Sequence, residues 1–422
     1  MLPRADRGDH MHQKTFRSRG ALRSPFSPFA AAAAALAVGL TSWGAPLAYA
    51  SQIIAPSIGV PDTAMSGATV ATPLTPTAAA FSNPAGIMNL EPGSMSAAFG
   101  LPVGHSRVDA TIPTGNYNTT SDFVAYAPEG GSVFAADYGV RWGFAIYGSL
   151  GSVFDSDAEP SVRVEHDFLS TQSISNVALM AAVPAGERLS IGVALAGIYG
   201  QAKLRYFQND QFAYTVRGPG VQAIFGLRYR VTDNIALGAS YRTPGMVWAD
   251  GDDALPDGNK QDVDLDLELP AQVFLGINAD VTERLSAGLY GRWTDASRFS
   301  HSTFRFEDTP QANVNFIRAA SDEWRIGAGA AYRATDTLTL RGGVGHADSI
   351  VPDTWVSPLL IDSNEWKISA GFSWEISGWT VDCTVGHSPT GDREVSASEA
   401  VIFPGRYTIG GQIYMIGLRT TL

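Results

Sequence analysis

Five pairs of short apolar runs, each alternating with period two and each joined across a turn of a few residues, limit this chain more than any other feature. Val177, Leu179, Ala181 and Val183 face Leu189, Ile191, Val193 and Leu195 across Pro184–Glu187. Leu227, Tyr229 and Val231 face Ile235, Leu237, Ala239 and Tyr241 across Thr232–Asn234. The same design recurs around Thr282–Arg284, around Ala334–Asp336 and around Ser377–Gly378. Strict alternation over about nine residues is what a membrane-crossing β-strand requires, with one side chain to lipid and the next to a lumen. A water-facing β-sandwich also alternates, but it gives no reason for what lies between these hairpins. There the connections are long and polar, at 152–171, 204–211, 246–262, 298–313, 348–365 and 388–404. Short turns at one end and long loops at the other are the asymmetry of an outer-membrane barrel. Fourteen such segments fit between residues 94 and 421, and an even count leaves both ends of the barrel on the periplasmic side.

Ahead of the strands the chain changes character twice. Arg17, Arg19 and Arg23 precede an apolar run over 29–40, and Ala48-Tyr49-Ala50 supplies small residues for cleavage. This is a secretory leader, 1–50; its apolar run is short for a span of about 20 residues. Residues 51–92 then carry only Asp62 and Glu91 as charges, yet hold Ile53, Ile54, Ile58, Val60, Met65, Val70, Phe81, Ile87 and Met88. A solvated linker has no use for such groups. The stretch Thr75–Ala80 suits a short helix, and Asn83-Pro84 forces a turn after it. Residues 51–92 are therefore expected to fold back into the barrel, 93–422, as a plug.

Asn83-Pro84-Ala85-Gly86 in this setting resembles the plug, or hatch, of the outer-membrane long-chain fatty acid transporter family, which includes channels for aromatic hydrocarbons. Ile58–Thr69 is similar to the start of that hatch. Leu269-Pro270, Trp293-Thr294-Asp295 with Phe299, Asp322–Gly329 and Asp348–Pro352 follow in the family's order. The resemblance implies an all-β protein, a fourteen-stranded antiparallel transmembrane β-barrel with an N-terminal plug, in the outer membrane. It implies passive uptake of hydrophobic molecules, long-chain fatty acids first, with an aromatic hydrocarbon channel as the alternative. It also implies release beside a kinked third strand, for which Gly143, Gly148 and Gly151 are the candidates.

Charge and composition exclude several other classes. Without the leader the chain has 23 Lys and Arg against 39 Asp and Glu, a formal charge of −16, so nucleic acid is not expected as a partner. One cysteine, Cys383, allows no internal disulfide, and the seven histidines show no metal-ligand spacing. No phosphate loop and no Ser/His/acid arrangement is legible, so neither a cofactor nor catalysis is expected; an outer-membrane lipase or protease is the enzyme alternative. An open diffusion porin or a structural barrel is the other competitor, but neither needs an apolar plug. For ligand contact, Arg325 and Arg341 are the candidates for a carboxylate. Phe154, Trp248, Trp355, Leu359 and Leu360 are the candidates for an apolar capture groove in the loops. The expected partners are hydrophobic small molecules such as fatty acids, outer-membrane lipid and lipopolysaccharide, and the barrel-assembly machinery, with the chain acting as a monomer.

Overall fold

The computed structural model describes residues 54–421, apart from 113–114, 157–167, 209, 255–259, 311–312, 318, 358–359 and 397–403. The expected leader, 1–50, lies outside the described residues. One antiparallel sheet closes on itself as a barrel of fourteen strands. In order these are β1 (Ser94–Ile112), β2 (Gly115–Val124 and Ala127–Ala135), β3 (Arg141–Ser156), β4 (Phe168–Pro184) and β5 (Leu189–Gln208). There follow β6 (Asp210–Arg230), β7 (Ile235–Arg242 and Gly245–Ala254), β8 (Lys260–Leu269 and Gln272–Asp280) and β9 (Leu285–Thr294 and Thr303–Phe306). The last five are β10 (Val314–Asn315 and Glu323–Arg333), β11 (Leu338–Ala347), β12 (Glu365–Ile376), β13 (Trp379–Val395) and β14 (Gly405–Thr421). Pairing of β1 with β14, from Ser94↔Thr421 to Ala110↔Gly405, removes both sheet edges.

Closure satisfies the backbone hydrogen bonds that lipid cannot. The alternation then decides the faces. Leu179, Leu195, Phe225, Leu275, Leu289, Ile326, Ile368 and Ile416 stand exposed on the outside. Arg228, Arg242, Asn278, Arg292, Glu323, Arg325 and Asp382 are buried on the inside. Cys383 lies in an outer apolar groove with Phe99, Phe372, Tyr414 and Ile416, on the lipid face.

Two of the long polar connections are not loops. β5 and β6 stay paired out to Gln208↔Asp210, and β7 and β8 out to Ala254↔Lys260. Their polar alternation reads as loop in sequence, but a long hairpin pairs its own backbone and tolerates charges on a solvated face. In β7 and β8 the pattern also inverts. Ala236, Ser240 and Arg242 point inward, but beyond Thr243-Pro244 it is Val247 and Ala249 that are buried. In β8, Gln272, Phe274 and Asn278 are buried on one side of Pro270-Ala271, and Val263, Leu265, Leu267 and Leu269 on the other. With a side-chain period of two, one extra residue exchanges the faces, and proline is tolerated there because it has no ladder N–H to lose. Gln222 on β6 fastens both breaks: its Nε2 donates to the Thr243 carbonyl at 2.7 Å and to the Pro270 carbonyl at 3.2 Å.

Inside the barrel the chain from Ile54 to Leu90 is almost wholly buried. It holds helix α1 (Val60–Ala64), helix α2 (Pro76–Ser82) and a 3-10 turn, Pro84–Asn89. Thr75 caps α2 by accepting from the Ala78 N–H at 3.2 Å, with Pro76 in the first turn where no N–H is needed. Pro84 ends it.

Candidate functional site

The inner segment is held by its backbone. Asn83, fully buried, donates from Nδ2 to the Val70 and Leu227 carbonyls at 3.0 and 2.9 Å and accepts from the Ala85 N–H at 3.1 Å. One amide thus ties two parts of the segment to β6. Around the ring, inward side chains meet other exposed carbonyls: Arg228 on Ala71, Asn278 on Ala68, Arg242 on Phe81 and Thr384 on Val60, all at 2.7 to 2.8 Å. Between these, glycines let backbone lie on backbone. A Cβ on Gly192 would stand 2.3 Å from the Ala85 nitrogen, one on Gly343 2.4 Å from the Met65 carbonyl carbon, and one on Gly226 2.2 Å from Asn83 Oδ1. Gly86 itself packs on Pro73. Asp62 in α1 accepts from Thr69 Oγ1, Thr75 Oγ1 and the Leu74 N–H. Burial pushes its carboxyl up to about 6, against the pull of those hydrogen bonds and of Arg419.

Above this segment the barrel interior turns apolar. Leu150, Ile174, Val216, Val247, Ala249, Leu265, Leu267 and Phe316 surround a small cavity, with Gln172 and Gln201 among its polar neighbours and no charged residue in the lining. Its free volume is about 10 Å³, room for roughly one water, so nothing larger sits there without movement of the walls. Tyr214, Phe304, Phe306, Phe299 and Phe316 continue it as one aromatic cluster, with ring centroids 5.0 to 6.2 Å apart. Outside the same walls stand Asp250, Asp252, Asp262 and Asp264, all exposed.

The wall is weakest between β2 and β3. They pair only from Gly130↔Ile146 to Ala135↔Arg141. Higher up, Ser121 Oγ accepts from the Asp155 N–H at 3.0 Å. Between these points β4 is the one strand that β3 pairs with among the described residues, with a register shift between Gly148 and Leu150. The inner segment reaches this opening: Ile54 bridges Leu150, and the Ala55 N–H donates to Ser149 O at 2.9 Å. The Ala55 carbonyl is taken by Arg292 at 2.7 Å, and Arg292 pairs with Glu323 at 2.5 Å. Phe123, Ala125 and Val153 form a separate apolar cluster beside the gap.

The sequence candidates fall in different places. Arg325 is buried and paired with Glu365 at 3.1 Å; Arg341 donates to Ser373. The two share the inner wall but not the apolar chamber. Trp248 projects from β7 on the face opposite to Val247 and Ala249, about half exposed (51%), across from Asp266. Trp355 and Leu360 pack, half-buried, against the core from the loop after β11. Phe154 pairs through its backbone with Ser170, and Leu359 lies outside the described residues. Gly148 sits at the register shift and Gly151 just beyond it. Gly143 lies in the paired stretch, where a Cβ would come 2.3 Å from Ser132 O. Sequence reasoning missed the chamber. Its signal was present in Val263-Asp-Leu-Asp-Leu-Glu-Leu269, an alternation as strict as any in the barrel.

The chain matches, over residues 39–413, the model of a family described as outer membrane protein transport protein (OMPP1/FadL/TodX). Among solved structures, a Pseudomonas aeruginosa FadL homologue superposes with a TM-score of 0.76 at 15% identity, over 87% of this chain and 99% of that one. The Pseudomonas putida toluene transporter TodX gives 0.67 at 17% identity over 88% and 99% of the two chains. The Ralstonia pickettii toluene transporter TbuX gives 0.65 at 18% over 87% and 99%. At these identities the likeness is one of fold. Among curated proteins no match is found.

Proposed function

From the premise that the chain belongs to the outer membrane protein transport family (OMPP1/FadL/TodX), as an outer-membrane β-barrel that carries hydrophobic molecules rather than an enzyme, we propose that its substrate is a small uncharged hydrocarbon of the aromatic class. One observation carries this reading: the chamber above the plug is lined by aliphatic and aromatic side chains with no charged group among them. A fatty acid would bring a carboxylate that wants a cation. Of the two arginines put forward for that role, Arg325 is paired with Glu365, and Arg341 lines a different cavity, away from the chamber. Long-chain fatty acids, the first expectation from sequence, therefore take second place.

The route follows from the walls. The paired hairpins β5–β6 and β7–β8 stand in the lipopolysaccharide layer with charged outer faces, basic at Lys203 and Arg217 and acidic at Asp250, Asp252, Asp262 and Asp264, and with apolar inner ones. A hydrocarbon leaving water for that interior gains about 0.8 kcal/mol per buried methylene. Because the chamber is closed at rest, occupancy has to move its walls, and Leu150 in that wall is bridged to Ile54 of the segment 54–90, the plug. The gap between β2 and β3, sealed at Ile54 and Ala55, is the sideways exit into the bilayer. No energy source enters this scheme; the gradient suffices. The closed sheet leaves no edge for a second copy, which supports a monomer inserted by the barrel-assembly machinery.

Uptake in a transporter-deficient host separates the readings. An alkylbenzene, a long-chain fatty acid and a small sugar are compared in cells with and without the protein. Faster uptake of the alkylbenzene alone is expected. Preference for the fatty acid would reverse the substrate order, and sugar passage without either would overturn the transport reading in favour of a porin.

A further inference from the structure

At the end of the barrel bearing the short turns, beneath the plug, lies a second cavity of about 770 Å³. Its roof is the plug, through Met65, Thr69, Thr72, Leu74 and Asn89, and its walls are the ends of β6 to β11. Five arginines line it: Arg228, Arg230, Arg284, Arg333 and Arg341. Three carboxylates, Asp233, Asp280 and Glu283, share the rim. Among the described residues none of the five arginines makes an ion pair with these or any other acid. The contrast with the rest of the interior is sharp. Arg292, Arg325 and Arg419 each have a carboxylate at 2.5 to 3.1 Å.

What the five do instead leaves them without a directly paired carboxylate, Arg341 meeting Asp382 only through the Ser373 hydroxyl. Arg228 donates to the Ala71 carbonyl and to Asn89 Oδ1, and Arg230 to the Glu187 carbonyl. Arg341 reaches only the Ser373 hydroxyl, and its Nε is buried with no partner. The guanidinium groups of Arg284 and Arg333, both on exposed residues, make no hydrogen bond within the described structure. Like charges gathered in a concave site repel one another, and field lines concentrate there. In a chain of net charge −12, that concentration is selective for anions at this one mouth. Guanidinium forks match the paired oxygens of phosphate and carboxylate.

We propose that this vestibule is a binding site for an oxyanion, a phosphate or carboxylate group presented from the periplasm. The group comes either from a dissolved anion or from the headgroup of an anionic phospholipid at the inner leaflet. The bound anion touches the arginines of the wall and the underside of the plug together. The site does not depend on which hydrophobic molecule the channel carries.

The test is calorimetric titration of the purified full-length barrel in detergent with sodium phosphate, against sodium chloride at equal ionic strength. Saturable binding to phosphate is expected. The Arg284→Glu, Arg333→Glu double variant should bind at least tenfold more weakly, while Arg305→Glu, at the opposite end, should leave affinity unchanged. Heat-modifiable migration on gels verifies that each variant is folded. Repeating the titration in nanodiscs distinguishes the sources. Weaker phosphate binding in phosphatidylglycerol than in phosphatidylcholine assigns the site to lipid headgroups, and equal binding assigns it to a dissolved anion. No saturable binding beyond chloride, or equal affinity in the double variant, overturns the proposal.

Discussion

Arg292 has the most to lose by substitution. It is fully buried, pairs with Glu323 and holds the Ala55 carbonyl where the plug meets the gap. Removing it leaves the buried Glu323 carboxylate only Arg325, 3.7 Å away, and breaking a buried pair in this way costs about 3–5 kcal/mol. Arg292→Ala is expected to lower the urea midpoint of unfolding by that equivalent, while Arg292 with Glu323 replaced together by Met and Leu should recover most of the loss. Gln222 is smaller but singular, because one amide serves the carbonyls of both strand breaks and accepts from Arg242. Asp62 sets a pH dependence. Its carboxyl is raised from 3.8 to about 6 when folded, so holding it as an anion costs stability. The cost is absent below 3.8, grows between 3.8 and about 6, and is full above. Protection of plug amides, corrected for the intrinsic pH dependence of exchange, should therefore rise as pH falls from 7 to 5, and Asp62→Asn should shrink that rise. Glu129, which accepts from the Gly59 N–H beside it, keeps its contact in that variant. None of this pairing was readable from sequence. Asn83-Pro84 marks a turn by its chemistry, but that Asn83 reaches Leu227 depends on a meeting of residues 144 positions apart.

Strands and turns, by contrast, were written locally. Hairpins such as Val177–Leu195 show themselves because lipid demands an apolar residue at every second position. The outer ends of two hairpins, within 204–211 and 246–262, read as loops, since water tolerates charges such as Asp250 and Asp252 on one face and hides the strand behind them. The parity exchange at Pro244 and Pro270 could be seen only once the faces were known. Gly192, Gly226 and Gly343 carry no local signal in sequence, yet there the absent side chain is the seat of the plug. Gly192→Val is expected to unseat the segment around Ala85 while the barrel still closes. The readout is increased leakage of a small sugar and of large antibiotics through cells carrying the variant, with unchanged heat-modifiable migration. No added leakage would mean that the segment finds another seat.

At the scale of the whole molecule, topology and mechanics come into view together. Cysteine placed at Asp252, on the outer extension of β7, should react with a membrane-impermeant thiol reagent on intact cells, and cysteine at Asp233, in a short turn, should not. Reversed labelling would invert the barrel. The native Cys383 faces lipid and gives little background. The uneven ladder has a further consequence. β5 and β6 share twenty paired positions, from Leu189↔Tyr229 to Gln208↔Asp210, whereas β2 and β3 share six. A pipe with an intact wall resists torsion by passing shear all the way around its circumference. Cut a slot along part of that wall and the shear has nowhere to cross, so the slotted portion twists under a load that the intact portion scarcely feels. This barrel is an intact pipe at its short-turn end and a slotted one above, with Ile54 and Ala55 as a dowel in the slot. Torsion of the barrel then falls on that dowel, the same joint that opens for a passenger along the proposed route.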